Sequence, residues 1–364
     1  MSHDEYKLKH AQLVALLDEL GADAIFLSTS ATLSWYLAGA RIHVSLAGAP
    51  ILRVLVHRDG CEIATPLSES DRLLAEELSE VPDARLHILD WYAPLDDYAA
   101  WFPEARGQNV LPEGRIEEQL RGVRTVLCDA EISRYRSLCV DTAGIFTQVL
   151  GEARTENSER EIAAKLSAAA IGFGGEVLVA LVCGASRSAF RHPLPTEAPL
   201  GRKAMAVLCV RRGGLIANVT RWVRFGGPLP GELKAEKAIL QVEHEIWESL
   251  QPGNELKSVF PVVQAAYPLH GFDPEEWQNH HQGGIAGFNG RDPRLTPDAT
   301  DIIRTNQAYA WNPSAVQNGM TFKVEDTVLL TERDGRPTVE VLSVDPMWPV
   351  VRVGNLDRPA VLVR

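Results

Sequence analysis

From Asp129 onward the chain passes twice through the same order of elements, a pair of helical segments followed by several strands. The first pair covers the amphipathic stretch "AEISRYRSLCVDTAGIFTQVL" and a second helix, where Ser158 and Glu161 have the spacing of a capping box. The strands that follow read "EVLVALVCG", "AMAVLCV" and "LIANVTRWVRFG". A second helical pair and further strand-like segments complete the chain. This order predicts a duplicated α+β unit, although no residue-level repeat accompanies it.

The segment before Asp129 has a different pattern, in which helix-like and strand-like stretches alternate. Leucines recur along one face of the first helix, and Gly21 stands where that helix would end. The stretches "AIFLS" and "ILRVLVH" have strand character, and "ESDRLLAEELSE" is amphipathic. Since 364 residues exceed what one ordinary core fills, we expect two domains, an α/β domain at 1–127 and an α+β domain at 128–364.

The net charge and the cysteine content limit which binding partners and which cellular compartment we expect. The formal net charge is −12, from 48 acidic against 36 basic residues, which repels nucleic-acid phosphates and anionic membrane surfaces. No apolar run approaches the roughly 18 residues that span a bilayer, and the stretch "MSHDEYKLKH" lacks a signal-peptide core. The five cysteines form no CxxC pair. We therefore expect a cytoplasmic protein with neither nucleic-acid nor membrane partners.

Five short motifs carry the functional information, and all lie in the second domain. In chain order they are "SRSAFRHPLP", "GLIANVTRWVRFG", "HHQGGIAGFNGRDP", "AWNPS" and "FKVEDTVLLTE". The signatures of several other enzyme classes are missing, since the chain contains no GxSxG, HExxH or Walker motif. Its glycine-rich stretch does not open a helix after a strand, which argues against dinucleotide binding.

In this order the motifs resemble those of the creatinase, prolidase and aminopeptidase P family. "GLIANVTRWVRFG" is similar to the family's "GY..D.TRT...G", "HHQGGIAGFNGRDP" stands in the place of "HG.GHG.GL..HE.P", and "FKVEDTVLLTE" closely matches "..iEDtvlvTe". The resemblance implies a creatinase-like N-terminal α/β domain followed by a pita-bread domain, which is a duplicated α+β unit. It also implies a homodimer and a cleft for a small peptide or an amino-acid-like ligand.

Peptidases of this family hold two divalent metal ions (Mn, Zn or Co) with two Asp, one His and two Glu ligands. The carboxylates neutralise the ions while a bridging water is activated as the nucleophile. By the resemblance, the second Asp falls on Asn218, the His on Gly284 and the first Glu on Asn312. Only the second Glu is retained, as Glu325.

The remaining ligand, the first Asp, falls near Cys209 or Val210. An error in the alignment cannot supply this Asp, because no acidic residue occurs between Ala198 and Gly231. One carboxylate therefore stands where the family has four, and two dications facing it would be left largely uncompensated. We predict that the chain holds no metal ion or other cofactor at these positions and lacks metal-dependent Xaa-Pro peptidase activity.

Three histidines are candidates for the functional site. The resemblance places His192 at the family's substrate-side histidine and His280 beside the metal ligand. Because neighbouring residues on a strand point to opposite faces, His280 and His281 would rarely share one ion. We therefore favour hydrogen-bonded structural histidines over metal ligands. As substrate-binding candidates we take His280 and His281 together with Asn218 and Asn312. His192 can also move protons near neutral pH, which makes it a catalytic candidate.

Two charged residues have two interpretations each. Arg291, also a substrate-binding candidate, either forms a local ion pair with Asp292 or grips a substrate carboxylate with both guanidinium nitrogens. Both interpretations stay open. Glu325 is either a catalytic base that works with His192 or a buried carboxylate paired with Arg221 or Arg291. For Glu325 we favour the ion pair.

Three functions from different classes follow from the sequence, and it does not settle whether the chain is an enzyme. The first is a pseudopeptidase that keeps the cleft as a binding site for a small peptide or an amino-acid-like ligand. The second is a metal-independent hydrolase of a C–N bond, of creatinase type, that uses His192 with Glu325 and Arg291. The third is a protein-interaction module built on a peptidase fold, similar to the peptidase-like module of the FACT histone chaperone.

Overall fold

The computed structural model describes residues 3–79, 81 and 84–364. The chain divides into two compact units, Met1–Arg124 and Thr125–Arg364. The sequence analysis set the boundary between 127 and 128, just before the long helix that opens at Asp129 with Cys128 as its N-cap. None of the described helices is both long enough and apolar enough to cross a membrane.

The first unit contains a five-stranded mixed sheet with helices. The helices are α1 (His3–Leu20), α2 (Ser30–Tyr36), α3 (Leu67–Arg72), α4 (Tyr98–Trp101) and α5 (Glu117–Arg124). The strands are β1 (Ala24–Leu27), β2 (Arg53–His57), β3 (Gly60–Pro66), β4 (Ala84–Leu89) and β5 (Val110–Pro112). Their order in the sheet is β4-β3-β2-β1-β5. The β3–β4 and β1–β5 pairs are parallel, and the other two pairs are antiparallel.

Two helices of this unit test the sequence patterns. The first helix is present, and Gly21 follows it with a φ of 62°, a left-handed conformation that glycine adopts without a steric penalty. The predicted helix over 69–80 is α3, which continues from Leu73 to Glu77 as a π-helical turn. Its predicted last residue, Glu80, lies outside the described residues.

The second unit, residues 125–364, contains two helix pairs and four sheets, two with four strands and two with two strands. The helices are α6 (Asp129–Gly151), α7 (Glu159–Gly172), α8 (Glu232–Glu248) and α9 (Phe260–Leu269). The first strands are β6 (Glu176–Cys183), β7 (Lys203–Arg212), β8 (Leu215–Arg224), β9 (Gly283–Ala286), β10 (Ala308–Trp311) and β11 (Ser314–Gln317). The remaining strands are β12 (Met320–Lys323), β13 (Asp326–Arg333), β14 (Arg336–Val341), β15 (Val350–Val353), β16 (Leu356–Pro359) and β17 (Leu362–Val363).

Each helix pair of the second unit packs against one four-stranded sheet. Helices α6 and α7 contact the sheet with the order β17-β8-β7-β6. Helices α8 and α9 share a buried apolar core with strands of the sheet β14-β13-β10-β9. The two sheets meet where the backbone N–H of Thr220 donates to the Glu325 carbonyl at 3.0 Å. The duplicated α+β arrangement predicted from the sequence is therefore confirmed.

The capping box predicted for the second of these helices is also present. The Glu161 backbone N–H donates to Ser158 Oγ at 3.2 Å, and the Ser158 N–H donates to Glu161 Oε2 at 2.8 Å. These reciprocal bonds satisfy N–H groups that have no partner within α7, so the helix begins at Glu159.

Candidate functional site

The hairpin of β7 and β8 carries the first two positions that the resemblance assigns to metal ligands. Its register pairs Cys209 with Asn218, whereas Val210 faces Ala217. Directly paired residues project from the same face of a sheet, so Cys209, and not Val210, shares a face with Asn218. Burial raises the pKa of the Cys209 thiol to about 12, and the Asn218 amide carries no charge. Both positions are therefore neutral at pH 7.

Gly284, which stands where the family has its metal-binding histidine, has no room for a side chain. It lies on β9 opposite Ala310. A Cβ atom added at this glycine would lie 2.2 Å from the Pro293 carbonyl oxygen and 2.9 Å from Arg294 Cα. Both are backbone atoms, which a rotamer change cannot move. A histidine at this position would require the neighbouring backbone to shift.

Asn312 forms hydrogen bonds with the segment that contains His281 and Gln282. Its backbone N–H donates to the Gln282 carbonyl at 2.9 Å. With the amide oriented to suit its neighbours, its side-chain nitrogen donates to the carbonyls of His281 and Gln282 at 3.2 Å and 3.3 Å. An ionised glutamate has no proton to donate to these carbonyls. Asn312 therefore supplies hydrogen bonds that the family's glutamate at this position would not.

Glu325, the one retained carboxylate, is held by two partners. Its Oε1 accepts from Arg291 Nη2 at 2.8 Å, and its Oε2 accepts from Thr220 Oγ1 at 2.8 Å. Arg221, the other partner considered from the sequence, donates instead to Asp326 Oδ1 at 2.8 Å. The Arg291 guanidinium therefore forms an ion pair with Glu325. The sequence analysis had considered this pair for Glu325, and Asp292 as the partner of Arg291.

The electrostatic surroundings keep Glu325 ionised. Burial by itself would raise the pKa of this carboxyl, but Lys323 and Arg291 outweigh it, so the pKa lies below its usual value. The carboxylate is therefore charged at neutral pH, and Arg291 already balances that charge. The hydroxyl of Thr220 on β8 also donates a hydrogen bond to one oxygen of this carboxylate.

These donors do not fit the two-metal arrangement that the resemblance implies. The five ligand positions offer a protonated thiol, two neutral amides, a glycine and one carboxylate that is already paired. A pair of divalent cations requires several carboxylate oxygens or imidazole nitrogens as ligands, and these five positions supply one carboxylate.

His192, His280 and His281 lie together, and we call them the histidine cluster. The rings of His280 and His281 stack with centroids 4.4 Å apart, so the expectation that they would point apart is wrong. His192 Nε2 lies 3.1 Å from His280 Nε2. The reason is local: His280 lies at a bend and β9 begins only at Gly283, so strand alternation does not apply. Gln282 Nε2 donates to the carbonyls of Trp277 and His280 beside this bend.

The histidine cluster is uncharged at neutral pH. Burial lowers the pKa of His280 to about 2, and Lys323 adds to this effect. Burial, followed by the charge of Arg291, lowers the pKa of His281 to about 4. Burial also lowers the pKa of His192, which is the most exposed of the three. Neutral imidazoles each offer one hydrogen-bond donor and one acceptor, so the cluster can bind polar ligand groups or accept a proton.

The sequence analysis missed Lys323. This residue is 3% exposed, and its charge lowers the pKa of all three members of the histidine cluster. The signal was present, because Lys323 and Glu325 are two residues apart in extended chain and so share a face. Lys323 also lowers the pKa of the retained carboxyl of Glu325, while burial lowers the pKa of Lys323 itself.

Comparisons with known proteins agree with this architecture. Residues 133–332 match the model of metallopeptidase family M24. The Xaa-Pro dipeptidase of Pyrococcus horikoshii is 20% identical over 348 residues, which cover 90% of this chain and 95% of that protein.

Solved structures show the same fold at low identity. The dipeptidase PepE from Mycobacterium ulcerans superposes with a TM-score of 0.74 at 16% identity, covering 100% of this chain and 99% of that one. The N-terminal domain of FACT complex subunit SPT16 from chickpea gives a TM-score of 0.68 at 10% identity, covering 94% of this chain and 97% of that one. The family match spans more than half of the sequence, and the fold agrees along its whole length. The chain therefore belongs to metallopeptidase family M24.

Proposed function

We propose that this member of family M24 works without the two-metal centre and binds a small peptide or an amino-acid-like ligand at the histidine cluster. One observation carries the proposal. Of the five positions that correspond to metal ligands, only Glu325 is a carboxylate, and Arg291 and Thr220 already bind it.

The charges decide against two metal ions. Two divalent ions bring four positive charges, whereas Glu325 supplies one negative charge that the Arg291 guanidinium balances. Lys323, which acts on the same carboxylate, supplies no negative charge. An uncompensated ion in a protein interior costs several kcal/mol even after the surroundings relax. A site with this charge distribution favours the metal-free state, and it can fold without a cation because no carboxylate cluster needs to be neutralised.

The same residues suit a small polar ligand. The three imidazoles of the histidine cluster are neutral, so each can donate one hydrogen bond and accept another. Nδ1 of His280 and Nδ1 of His281 are buried and have no hydrogen-bond partner among the described residues. Buried polar atoms without a partner are rare in folded proteins, and a polar ligand would satisfy them.

The test combines metal analysis with ligand binding. The purified chain would be incubated with excess Mn²⁺ or Zn²⁺, dialysed and analysed for metal, with the Pyrococcus horikoshii Xaa-Pro dipeptidase treated in parallel as the positive control. We expect the relative to retain metal and this chain to retain no pair of ions and to leave Gly-Pro intact. Calorimetry should nevertheless detect Gly-Pro binding. Retention of two ions per chain together with chelator-sensitive hydrolysis of Gly-Pro would refute the proposal.

The contact between His192 and His280 favours a second candidate, a metal-independent C–N hydrolase. A neutral imidazole can take a proton from water as the water attacks carbon and then deliver that proton to the departing nitrogen. The 3.1 Å contact between the two Nε2 atoms would orient His192 for this role. Turnover that a chelator leaves unchanged and that His192→Ala abolishes would support this candidate over simple binding.

A further inference from the structure

The histidine cluster brings three imidazole rings to one place. One ring nitrogen from each of its three residues lies within 4.8 Å of the other two. The ring centroids of His280 and His281 are 4.4 Å apart, and those of His192 and His280 are 4.9 Å apart. Imidazole is the commonest metal ligand among protein side chains. The cluster therefore has the ligand type, and nearly the spacing, that a single metal ion needs.

The contact between His192 and His280 has almost the length of one edge of a zinc coordination shell. Their Nε2 atoms are 3.1 Å apart. Zinc binds imidazole nitrogen at about 2.0–2.1 Å with tetrahedral geometry, which places two ligand nitrogens about 3.3 Å from each other. The third nitrogen, from His281, starts no more than 4.8 Å from the other two. Rotation of its ring can close the remaining gap, because the χ2 torsion of histidine varies over a broad range.

Two ring nitrogens of the cluster also lack a protein partner. Nδ1 of His280 and Nδ1 of His281 are buried, and neither has a hydrogen-bond partner within the part of the chain that the structure describes. A hydrogen bond at one ring nitrogen normally decides which nitrogen carries the proton and which can bind a metal ion. No such bond at Nδ1 fixes the proton on these two rings, so each ring is free to present a nitrogen without a proton.

The objections raised from the sequence do not apply to a single ion at this place. One objection was that His280 and His281 would point to opposite faces of a strand, whereas their rings stack. The other was the loss of carboxylates, which concerns a pair of ions at the five positions of the family. Zinc sites built from three histidines bind one ion without any carboxylate ligand.

The basic groups near the cluster limit the affinity for a cation. Arg291 is paired with Glu325, and Arg294 is exposed, so that water and salt screen its charge. Lys323 also acts on the rings. These groups, and the absence of a hydrogen-bonding partner that would orient each ring from behind, weaken the binding of an ion. We therefore expect a dissociation constant in about the micromolar range, well above that of structural zinc sites.

We propose that the histidine cluster binds one zinc ion through one nitrogen of each ring, with the fourth coordination position open toward the exposed side of His192. The inference rests on the proposed function, since it requires that the two-metal centre is absent, and it adds a ligand class that this function does not include. The open position would be accessible to the carboxylate of the small ligand, whose negative charge would offset part of the charge of the ion.

Calorimetric titration of the full chain with zinc chloride at pH 7.5 tests the inference. We expect one equivalent to bind, and we expect His192→Ala to bind it at least about tenfold more weakly, since one of three ligands is lost. His192 is exposed, so this variant should melt at nearly the wild-type temperature without zinc. His270→Ala is the matched control, because His270 contacts Glu245 outside the cluster, and its zinc affinity should be unchanged.

Cobalt(II) in place of zinc identifies the ligand atoms. A tetrahedral cobalt ion absorbs visible light strongly, and thiolate ligands add a charge-transfer band in the near ultraviolet. We expect the visible bands without the thiolate band, and we expect His192→Ala to lose them. A thiolate band would place the ion at a cysteine and would overturn the inference.

The remaining outcomes separate this inference from the proposed function. No binding of zinc at millimolar concentration, or an affinity that His192→Ala leaves unchanged, would overturn the inference. If Gly-Pro then still binds to the metal-free chain, the proposed function survives. Two equivalents of zinc together with chelator-sensitive hydrolysis of Gly-Pro would instead refute the proposed function, and this inference with it.

Discussion

The positions that the family resemblance assigns to metal ligands differ in how much would have to change before they could bind a metal ion. Asn218 and Asn312 keep roughly the shape of an acidic side chain without its charge. Gly284 is different, because the backbone of Pro293 and Arg294 occupies the space where its side chain would begin. A charge can be restored by a substitution of similar shape, whereas this space cannot be restored without moving the main chain.

Gly284→His should therefore destabilise the protein and create no metal site. We expect the free energy of unfolding to fall by about 2 kcal/mol or more, as for other substitutions that overpack a well-filled region. The double variant Asn218→Asp, Gly284→His should also show no Mn²⁺-dependent dipeptidase activity, since Cys209 and Asn312 remain uncharged. Urea unfolding and a Gly-Pro assay with Mn²⁺ measure the two effects.

Gly290→Ala is the matched control for this prediction. A Cβ at Gly290 would meet only Asn218 Oδ1, at an ordinary contact distance of 3.8 Å. Its effect on the free energy of unfolding should be well below that of Gly284→His. A manganese-dependent dipeptidase produced by the double variant would show that the ligand positions are wrongly assigned.

The lowered pKa values in the histidine cluster predict a loss of stability in mild acid. An unfolded histidine takes up a proton near pH 6.5, whereas His281 does so in the folded chain only near pH 4 and His280 near pH 2. Between these values the unfolded chain binds more protons than the folded one, so stability falls as the pH falls.

Urea unfolding at pH 7 and pH 5 checks this prediction. The free energy of unfolding of the wild type should be smaller at pH 5. His281→Asn, which cannot take up a proton, should show a smaller difference between the two pH values. The same difference in both proteins would contradict the assignment of a neutral, buried His281.

Sequence reasoning reached part of this site and missed the rest for identifiable reasons. Motif order identified Asn218, Gly284 and Asn312, but it left the first Asp between Cys209 and Val210, because a register is a long-range property of two strands. The side chains of His280 and His281 were expected to point apart, which assumed a strand, whereas β9 begins only at Gly283. Lys323 was not predicted because a single lysine at the end of a strand is usually exposed, and its burial depends on residues that are distant in the chain.

At the scale of elements, the hairpin of β15 and β16 is tied to the site region by a buried arginine. Arg358 on β16 is 1% exposed and donates to Glu243 of α8 and to Asp326 of β13. Its guanidinium also lies 4.1 Å from the centroid of the Trp247 ring. Asp326 directly follows Glu325, so the hairpin helps to hold the strand that presents the retained carboxylate.

Arg358→Met should be strongly destabilising. The substitution leaves the carboxylates of Glu243 and Asp326 buried with fewer partners, which typically costs about 3–5 kcal/mol. Arg352→Met on β15 is the control, because Arg352 pairs with Asp357 at an exposed site, with both side chains about 60% exposed. Such pairs contribute about 0–1 kcal/mol. Chemical denaturation that gave equal losses for the two variants would contradict a supporting role for Arg358.

The elements themselves were largely predictable, because their signals are local. The capping box at Ser158 and the glycine after α1 each fix a helix end within a few residues of sequence. The π-helical turn after α3 was not predicted, since the same amphipathic pattern suits an α-helix. The buried network of Arg358 joins residues more than a hundred positions apart, and no local pattern announces it.

For the whole molecule, the resemblance to creatinase and prolidase predicts a homodimer. Sedimentation equilibrium of the full chain at micromolar concentration measures this directly, and we expect a mass of twice the 40.0 kDa of one chain. A single-chain mass that persists as the concentration rises would contradict the prediction. The family fold, unlike the oligomeric state, was predictable because weak motifs in the correct order along the second unit restrict the fold more than any single motif does.

The main chain packed beside Gly284 has a consequence for how this region could be redesigned. A substitution at Asn218 or Asn312 changes one side chain, whereas a histidine at Gly284 needs a new path for the backbone of Pro293 and Arg294. A library that varies residues 287–294 together with Gly284 should therefore yield folded histidine variants more often than a library that varies Gly284 alone.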